Sequence, residues 1–313
     1  MTVKMSKKPV SMVTKRPMFP RFLIATRPWS FPAALSPLLI TFTILFLSSN
    51  IILHKAVLFT VGIVALQGAA NLLNSFCDFE NGLDQPETAG DRTMVDALVT
   101  RKEFPFLFLS VVGIWFLSFV STLPVASAVF TSYLFVYVAG LTLAVLYSAG
   151  SPPLKYIGFG DFVVFMAFGP LLVIAASWAC AIDASAVDMN RILLVAAPAS
   201  ILVVAILHAN NHRDLKVDAK NSAKTISVRL GAQLSKVYYD FLVLSPALLS
   251  LVVALWSSED RGMLGGALIL PLSLRLCSLV KSESVPREID AETAKVMLMY
   301  GLLTSAGIAI VGL

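Results

Sequence analysis

The sequence predicts an all-α polytopic membrane protein, a bundle of nine transmembrane helices. Of its 313 residues 57% are hydrophobic and 14% are charged, and the mean hydropathy is +0.82. A soluble domain carries about 25% charged residues, so this chain has too few charges to cover a water-facing surface. The shortage excludes a soluble enzyme and a disordered chain. Its three cysteines contain no CxxC pair, which excludes a disulfide framework and a zinc knuckle.

Nine apolar stretches are long enough to cross a bilayer, whose hydrocarbon core of about 30 Å needs about 20 helical residues. They lie near residues 30–50, 53–76, 104–122, 125–147, 160–181, 191–210, 236–256, 263–280 and 294–313. Residues 1–27 precede them as a basic tail without an acid, and residues 28–313 form a single membrane domain. The tail is interpreted as cytosolic, and a short organelle-targeting segment is the alternative.

The basic residues provide an independent check on the number of helices. If the N-terminus lies in the cytosol, 21 of the 24 Lys and Arg residues fall on the cytosolic side, and the exceptions are Lys55, Arg191 and Arg261. Cytosolic loops of membrane proteins carry such an excess, so the net charge of +5 reflects topology rather than nucleic-acid binding. The protein is expected in the endoplasmic reticulum, Golgi or mitochondrial membrane if it is eukaryotic, and in the plasma membrane if it is prokaryotic.

The acidic residues are distributed even less evenly. None precedes Asp78, seven of the 19 then fall within one short stretch, and Asp214 and Asp218 form a second group after the sixth span. Asn71, Asn74 and Asp78 share one helical stripe because they are spaced by three and four residues. Polar helix caps would explain either group alone, whereas two matched stripes indicate carboxylates that face each other. Hard oxygen ligands of this kind suit Mg²⁺, which is commonly shared with substrate phosphates.

Several segments together resemble one family. Residues 71–84 (NLLNSFCDFENGLD) resemble the first aspartate-rich motif of the UbiA superfamily of intramembrane aromatic prenyltransferases, and residues 210–218 (NNHRDLKVD) are similar to the second. Residues 27–30 (RPWS), 91–96 (DRTMVD) and 147–156 (YSAG followed by LKY) are similar to the branch that contains the menaquinone-pathway enzymes. The ordered motifs cover the chain from about residue 20 onward.

The resemblance implies a Mg²⁺-dependent prenyltransferase. It would move an isoprenyl group from its diphosphate to a naphthoquinone-type acceptor in menaquinone or vitamin K biosynthesis. Geranylgeranyl is the preferred identity of that group. The acceptor could instead be 4-hydroxybenzoate, homogentisate or haem. A secondary transporter is the main alternative from another class, but a transporter places its site near the membrane midplane, whereas these acids cluster at one face. The expected partners are the two substrates and membrane lipid.

The resemblance also assigns roles to particular residues. The expected catalytic residues are Asn74, Asp78, Asp214 and Asp218. The expected metal ligands are Asn74, Asp78, Asp84, Asp214 and Asp218, and Glu80 is the alternative to Asp84. The expected substrate contacts are Arg27, Arg92, Tyr147, Lys155, Asn211 and Arg213. His208 and His212 are spaced to bind zinc, but they lack the Glu of an HExxH helix, so polar packing is the preferred interpretation.

Overall fold

The computed structural model describes residues 17–85, 91–125, 127–282 and 285–312. Within these ranges every regular element is a helix. Eight helical segments are long and apolar enough to cross a membrane, and a bent helix pair at the start makes a ninth if it counts as one span. The predicted all-α polytopic membrane fold is therefore confirmed. Most of the predicted basic tail, residues 1–16, lies outside the described residues.

Thirteen α-helices follow one another along the described chain. They are α1 (Met18–Ala25), α2 (Pro32–Leu47), α3 (Leu53–Glu80), α4 (Phe104–Thr122), α5 (Phe130–Ala149), α6 (Gly160–Phe168), α7 (Pro170–Cys180), α8 (Met189–Arg213), α9 (Leu215–Lys220), α10 (Ile226–Trp256), α11 (Leu264–Ala267), α12 (Leu270–Lys281) and α13 (Ile289–Gly312). Apolar runs of this length become helices because lipid offers the backbone no hydrogen-bond partners, so each segment must satisfy its own.

The observed helices match the predicted spans closely at α4 and extend beyond them at α8 and α10. α4 begins at Phe104 and ends at Thr122, which are the predicted limits. α8 and α10 are longer than the predicted spans 191–210 and 236–256. The extra residues at the end of α8 are polar, whereas those at the start of α10, residues 226–235, are a mixture of polar and apolar side chains. Hydropathy therefore located the most apolar part of each helix and missed the turns beyond it.

The first predicted span, residues 30–50, is shorter than expected and is bent. α2 has 16 residues, and the segment before it, residues 18–30, meets it at an angle of 61°. Arg27 lies at the bend with φ 55°, and Pro28 and Pro32 follow it. Since proline has no backbone N–H to donate to the preceding turn, the two prolines stop α1 and restart the chain as α2.

α1 belongs to the folded domain rather than to a free tail. Arg21 is buried; its Nη1 donates to the Leu98 carbonyl at 3.0 Å and its Nη2 donates to Glu103 Oε1 at 2.8 Å. The hydrogen bonds from Arg21 lower the pKa of Glu103 to about 2. These contacts attach α1, which falls within the predicted tail 1–27, to the loop that precedes α4.

Glycines interrupt two further helical segments. Gly169 separates α6 from α7, and an added Cβ there would lie 2.6 Å from Ser200 Oγ on α8. Gly231 interrupts α10 with φ 72°, a left-handed conformation that glycine adopts without steric cost. Gly169 lies inside the predicted span 160–181, which gave no sign of the interruption because hydropathy does not register a change of backbone direction. Gly231 lies before the predicted span 236–256.

Apolar packing divides the bundle into two main parts. The larger cluster surrounds α8 and packs it against α2, α10 and α13, with Leu202 and Tyr300 fully buried. The second cluster joins α2, α3, α5 and α7 around Tyr133 and Ala176. A space remains between these two parts, bordered by α2, α3 and the helices from α5 to α8.

α13 approaches the chain before α11 so closely that both sides require glycine. An added Cβ on Gly307 would lie 2.1 Å from the Gly262 carbonyl oxygen, and one on Gly262 would lie 2.4 Å from the Ile308 backbone nitrogen. Small residues at such contacts allow helices in membranes to pack backbone against backbone. This contact fixes α13 against the α11–α12 segment.

We expect Gly307→Val to destabilise the protein by about 3 kcal/mol, because the larger side chain must displace backbone rather than a flexible neighbour. The measurement is the thermal unfolding temperature in detergent. Gly113→Val on α4 is the matched control, since no atom lies within 4 Å of an added Cβ there. Equal losses of stability in the two variants would contradict the importance of the α13 contact.

Candidate functional site

A cavity of about 350 Å³ occupies the space between α2, α3 and the helices from α5 to α8. One end is polar, and the charged side chains that line it are Asp78, Asp84, Asp91, Asp214, Asp218, Asp290, Arg27 and Lys155. The rest of the wall is mostly apolar, with side chains that include Ile63, Leu66, Val136, Leu141, Phe168 and Leu172. The cavity therefore offers one molecule both a site for charge and a site for an apolar chain.

The first motif presents its polar side chains from the last turns of α3. Asn74 and Asp78 lie one turn apart on the cavity side, and Lys155 from the loop after α5 donates from Nζ to an oxygen of each. The Nζ–Oδ1 distance to Asp78 is 2.6 Å. The Tyr156 hydroxyl also donates to Asp78 Oδ1, and Ser148 Oγ donates to Asn74 Oδ1 at 2.9 Å. The buried Lys155 ammonium group thus neutralises the Asp78 carboxylate.

The second motif lies where α8 ends and α9 begins. Asn210 and Asn211 belong to the last turn of α8, Asp214 lies between the two helices, and Asp218 lies on α9. All four line the cavity. Burial raises the pKa of Asp218 to about 7, and the nearby carboxylates of Asp214 and Asp78 raise it as well. The two predicted stripes therefore face one cavity from different helices.

The sequence left open whether Asp84 or Glu80 completes the first motif, and the structure places these two carboxylates differently. Asp84 lines the cavity. Burial raises its pKa to about 7, assisted by the carboxylates of Asp91 and Asp78. Glu80 instead accepts a hydrogen bond of 2.6 Å from Arg101 Nε, outside the cavity lining that the described residues form. The geometry favours Asp84 over Glu80 as the carboxylate that accompanies Asp78 in the first motif.

Arg27 reaches the cavity from the bend between α1 and α2. Its Nη2 donates to Asp91 Oδ2 at 2.5 Å and to Ser75 Oγ at 3.0 Å. Asp91 Oδ1 accepts from the backbone N–H and the hydroxyl of Thr93, at 3.0 and 2.8 Å. Burial by itself would raise the pKa of Asp91, but Arg27 and these hydrogen bonds lower it to about 2. The Arg27 guanidinium is therefore held by a carboxylate that is itself fixed.

The other predicted substrate contacts do not all lie in the cavity. Tyr147 and Asn211 line it. Arg92 instead forms an ion pair of 2.6 Å with Asp96, and it does not occur among the described residues that line the cavity. Arg27 and Arg92 both belong to predicted motifs, and the sequence did not show which of them faces the cavity.

Arg213 lies behind the second motif rather than in the described cavity lining. Its Nη2 donates to Asp214 Oδ2 at 2.7 Å and to Asn210 Oδ1 at 2.6 Å, while its Nη1 donates to Asp290 Oδ1 at 3.2 Å. The sequence predicted that Arg213 contacts substrate. In the structure its hydrogen bonds instead orient Asp214, Asn210 and Asp290.

Asp91, Tyr156 and Asp290 line the polar end of the site but were not among the predicted site residues. Tyr156 and Asp91 belong to the LKY and DRTMVD segments, so the sequence contained a signal for them but did not indicate their contacts. Asp290 in the first turn of α13 also lines the cavity. No motif marks Asp290, because its relation to the second motif arises from the packing of α13 beside α8.

The polar end has a surplus of negative charge, with six carboxylates and two cationic side chains among its described lining residues. Carboxylate and amide oxygens are ligands that Mg²⁺ prefers, so the donor set fits a divalent cation. Within the described ranges no three His, Cys, Asp or Glu side chains lie close enough to hold an ion by themselves. The arrangement therefore fits Mg²⁺ that shares its coordination with the oxygens of a bound phosphate.

His208 and His212 form a hydrogen-bonded cluster with Ser235. His208 Nε2 lies 2.9 Å from Ser235 Oγ, and His212 Nδ1 lies 2.8 Å from the same oxygen. The nearest carboxylate, Asp161, is 3.7 Å from His208 Nδ1. These contacts agree with the polar packing that the sequence favoured over a zinc site.

Comparison with known proteins identifies relatives over most of the chain. Residues 34–302 match the UbiA prenyltransferase family. The UbiA prenyltransferase domain-containing protein 1 of Xenopus tropicalis is 32% identical over 295 residues, which cover 92% of this chain and 81% of that protein. The protein of the same name from Rattus norvegicus is 30% identical over 293 residues, which cover 92% of this chain and 82% of that protein.

Solved structures share the fold at lower identity. A UbiA homolog from Aeropyrum pernix K1 has a TM-score of 0.64 and 16% identity, and the match covers 94% of this chain and 98% of that one. A UbiA homolog from Archaeoglobus fulgidus, bound to DMAPP and Mg²⁺, has a TM-score of 0.62 and 16% identity over 93% and 99% of the two chains. The ordered motifs, the helical bundle and these similarities show that the chain is a membrane prenyltransferase of the UbiA family.

Proposed function

We propose that this protein transfers a geranylgeranyl group from its diphosphate to a naphthoquinone-type acceptor, with Mg²⁺, in the formation of a menaquinone or vitamin K compound. The observation that carries the proposal is the cavity itself, in which a carboxylate-rich end adjoins a long apolar wall. A prenyl diphosphate has the same division between a charged head and an apolar tail. The proposed donor is a prenyl diphosphate, as is the DMAPP that the Archaeoglobus fulgidus homolog binds with Mg²⁺.

The diphosphate would bind between the two motifs. Asn74, Asp78 and Asp84 on one side and Asp214 and Asp218 on the other would hold Mg²⁺, which when bound neutralises charge on the departing pyrophosphate. Their negative charge would repel a diphosphate that arrives without a divalent cation.

The cationic side chains would complete the diphosphate site. Arg27 would donate a forked pair of hydrogen bonds to the phosphates, and Lys155 would act as a point charge. Both cations are already close to the carboxylates, so little movement is needed to reach a ligand that binds among them. Asn211 would supply a neutral hydrogen-bonding group beside the second motif.

The apolar part of the cavity would protect the reacting carbon. In the proposed reaction the bond between the allylic carbon and the diphosphate oxygen breaks, and a new bond forms to a carbon of the aromatic ring. That ring carbon then loses its proton, which pyrophosphate can take. Tyr147 and the apolar side chains beyond it would keep water from the allylic carbon, since water would otherwise capture it.

The charge distribution supports a neutral acceptor over 4-hydroxybenzoate. Arg27 and Lys155 are the cations among the described lining residues, and both would be occupied by the diphosphate. The carboxylate of hydroxybenzoate would then face a carboxylate-rich wall without a cation of its own, at an electrostatic cost. An uncharged naphthoquinol avoids this cost and has a larger apolar surface to place against the cavity wall.

The positive-inside distribution supports a cytosolic position for the polar end of the cavity. The motifs lie at the ends of α3 and α8, on the side of the bundle to which the predicted topology assigns 21 of the 24 Lys and Arg residues. We propose that the N-terminus and this end of the bundle face the cytosol. A water-soluble diphosphate head would then enter from the cytosol while its tail remains in an apolar environment.

We expect purified protein with Mg²⁺, geranylgeranyl diphosphate and a panel of acceptors to release pyrophosphate and to prenylate menadiol in preference to 4-hydroxybenzoate and homogentisate. Asp78→Asn and Asp214→Asn should each lower kcat by about 100-fold or more, because each weakens the binding of the Mg²⁺ that would stabilise the leaving group. Product formation is followed by chromatography. Glu259→Gln, an exposed change outside the cavity, is the control. Absence of turnover with every acceptor, or activity that survives both aspartate changes, would contradict the proposal.

Substitutions of Asp84 and Glu80, the two candidate acids of the first motif, should have different effects. Asp84→Asn is expected to raise the Mg²⁺ concentration for half-maximal activity by about tenfold, as the loss of a supporting ligand does at metal sites. Glu80→Gln should leave it unchanged, because Glu80 pairs with Arg101 away from the cavity. Magnesium titrations of activity distinguish the two variants. The opposite result would mean that Glu80, and not Asp84, accompanies Asp78 as a ligand in the first motif.

Asp91→Asn should weaken donor binding through Arg27. We expect the KM for geranylgeranyl diphosphate to rise by about tenfold, equivalent to about 1.4 kcal/mol, because the guanidinium loses its anchor. The KM for the acceptor should change little. Steady-state kinetics with each substrate varied in turn provide the measurement, again with Glu259→Gln as control. A change confined to the acceptor KM would argue against this role of Asp91.

A further inference from the structure

One face of α5 forms a continuous wall of the cavity. The lining residues Tyr137, Gly140, Leu141, Ala144 and Tyr147 recur every three or four positions, which places them on one side of the helix. Residues on the opposite side, such as Phe135 and Val138, are exposed. α5 therefore presents the same face to the cavity over three turns.

The upper end of this face adjoins the charged site. Tyr147 lies beside Lys155, since a Cβ built on Gly160 would be 3.6 Å from the Tyr147 ring and 3.5 Å from the Lys155 Cα. At 1.5 Å per residue, Gly140 lies about 10 Å below Tyr147 along the helix, and Tyr137 lies about 15 Å below it. A short tail on a diphosphate held at Lys155 would not reach Gly140, whereas a long tail would pass it.

Gly140 leaves open space at this level. No atom lies within 4 Å of a Cβ built at this position, and Gly140 lines the cavity. A larger side chain here would therefore project into the cavity without disturbing a packed neighbour. Its backbone is helical, so the glycine is not required by the backbone conformation, and replacement favours helix formation.

The wall below Gly140 is rigid. The Tyr137 hydroxyl accepts a hydrogen bond of 2.7 Å from Trp115 Nε1, and its ring packs on Phe119 with 4.4 Å between the ring centroids. One turn further along, Tyr133 is fully buried and does not line the described cavity. The aromatic cluster of Trp115, Phe119, Tyr133 and Tyr137 thus marks the end of the cavity on this side.

We propose that Gly140 determines the length of prenyl tail that this enzyme accepts, by leaving open the cavity between the charged site and the aromatic cluster. The inference rests on the proposed function and adds to it a residue that selects the donor. Donors with one isoprene unit would be unaffected by a side chain at this position. Donors with four units would need the space that glycine provides.

The test compares donors of different lengths in one preparation of Gly140→Leu. We expect kcat/KM for geranylgeranyl diphosphate, relative to that for dimethylallyl diphosphate, to fall by about tenfold or more, since a side chain that occupies a substrate pocket discriminates on this scale. Gly140→Ala should give a smaller change in the same direction. The ratio is independent of how much of the preparation is folded, because both donors use the same active molecules.

Gly113→Leu is the matched control. Gly113 is also a helical glycine with no atom within 4 Å of an added Cβ, but it does not line the described cavity. Its ratio should equal that of the unchanged protein. An unchanged ratio in Gly140→Leu, or an equal change in Gly113→Leu, would overturn the proposal.

A binding measurement separates this proposal from the proposed function. Thermal stabilisation of the protein by each diphosphate is recorded with Mg²⁺ and without acceptor. Stabilisation of the unchanged protein by both donors, with selective loss for the long donor in Gly140→Leu, would support the proposal even if the acceptor were wrongly assigned. Failure of every diphosphate to bind the unchanged protein would refute the proposed function and this inference together.

Discussion

The charged end of the cavity depends on the contact between the Lys155 ammonium group and the side chains of Asn74 and Asp78. Burial lowers the pKa of Lys155, and the Asp78 carboxylate opposes that effect. A buried charge pair persists when its remaining hydrogen-bonding groups are also satisfied, and here the Tyr156 hydroxyl donates to the same carboxylate. The contact joins the end of α3 to the loop after α5. It therefore determines how the first motif lies relative to the wall of the cavity.

The apolar bundle makes this small group of charges effective. The sequence is 14% charged, and the charges that line the cavity occupy one end of it. Electrostatic interactions are stronger where water is excluded, so a few carboxylates and two cations can control binding and reactivity. The same exclusion of water would suit the proposed reaction, in which water could otherwise capture the allylic carbon. The interrupted helices contribute to the shape, because Gly169 redirects the chain where α6 and α7 border the cavity.

The sequence predicted the fold better than it predicted the contacts within the site. Hydropathy located the spans because a lipid environment allows few alternatives to a helix, and the stripe of Asn74 and Asp78 follows from helical geometry alone. The bend at Arg27 and the break at Gly169 were missed because a change of chain direction leaves the apolar run intact. The contact between Arg213 and Asp290, and the place of Asp290 in the cavity wall, were not predicted for a different reason. They depend on the packing of α13 against the end of α8, which no local pattern encodes.

The carboxylates of the two motifs lie on different sides of one cavity, and this placement has an electrostatic consequence. Asp84 follows α3 and Asp218 lies on α9, and the pKa of each is raised to about 7 by burial and by neighbouring carboxylates. Folding thus holds negative groups near one another at an electrostatic cost. A divalent cation would remove that repulsion and would at the same time permit a diphosphate to approach. In the proposed function the head group would therefore bind together with its counter-ion, and the apolar wall of α5 would receive the tail.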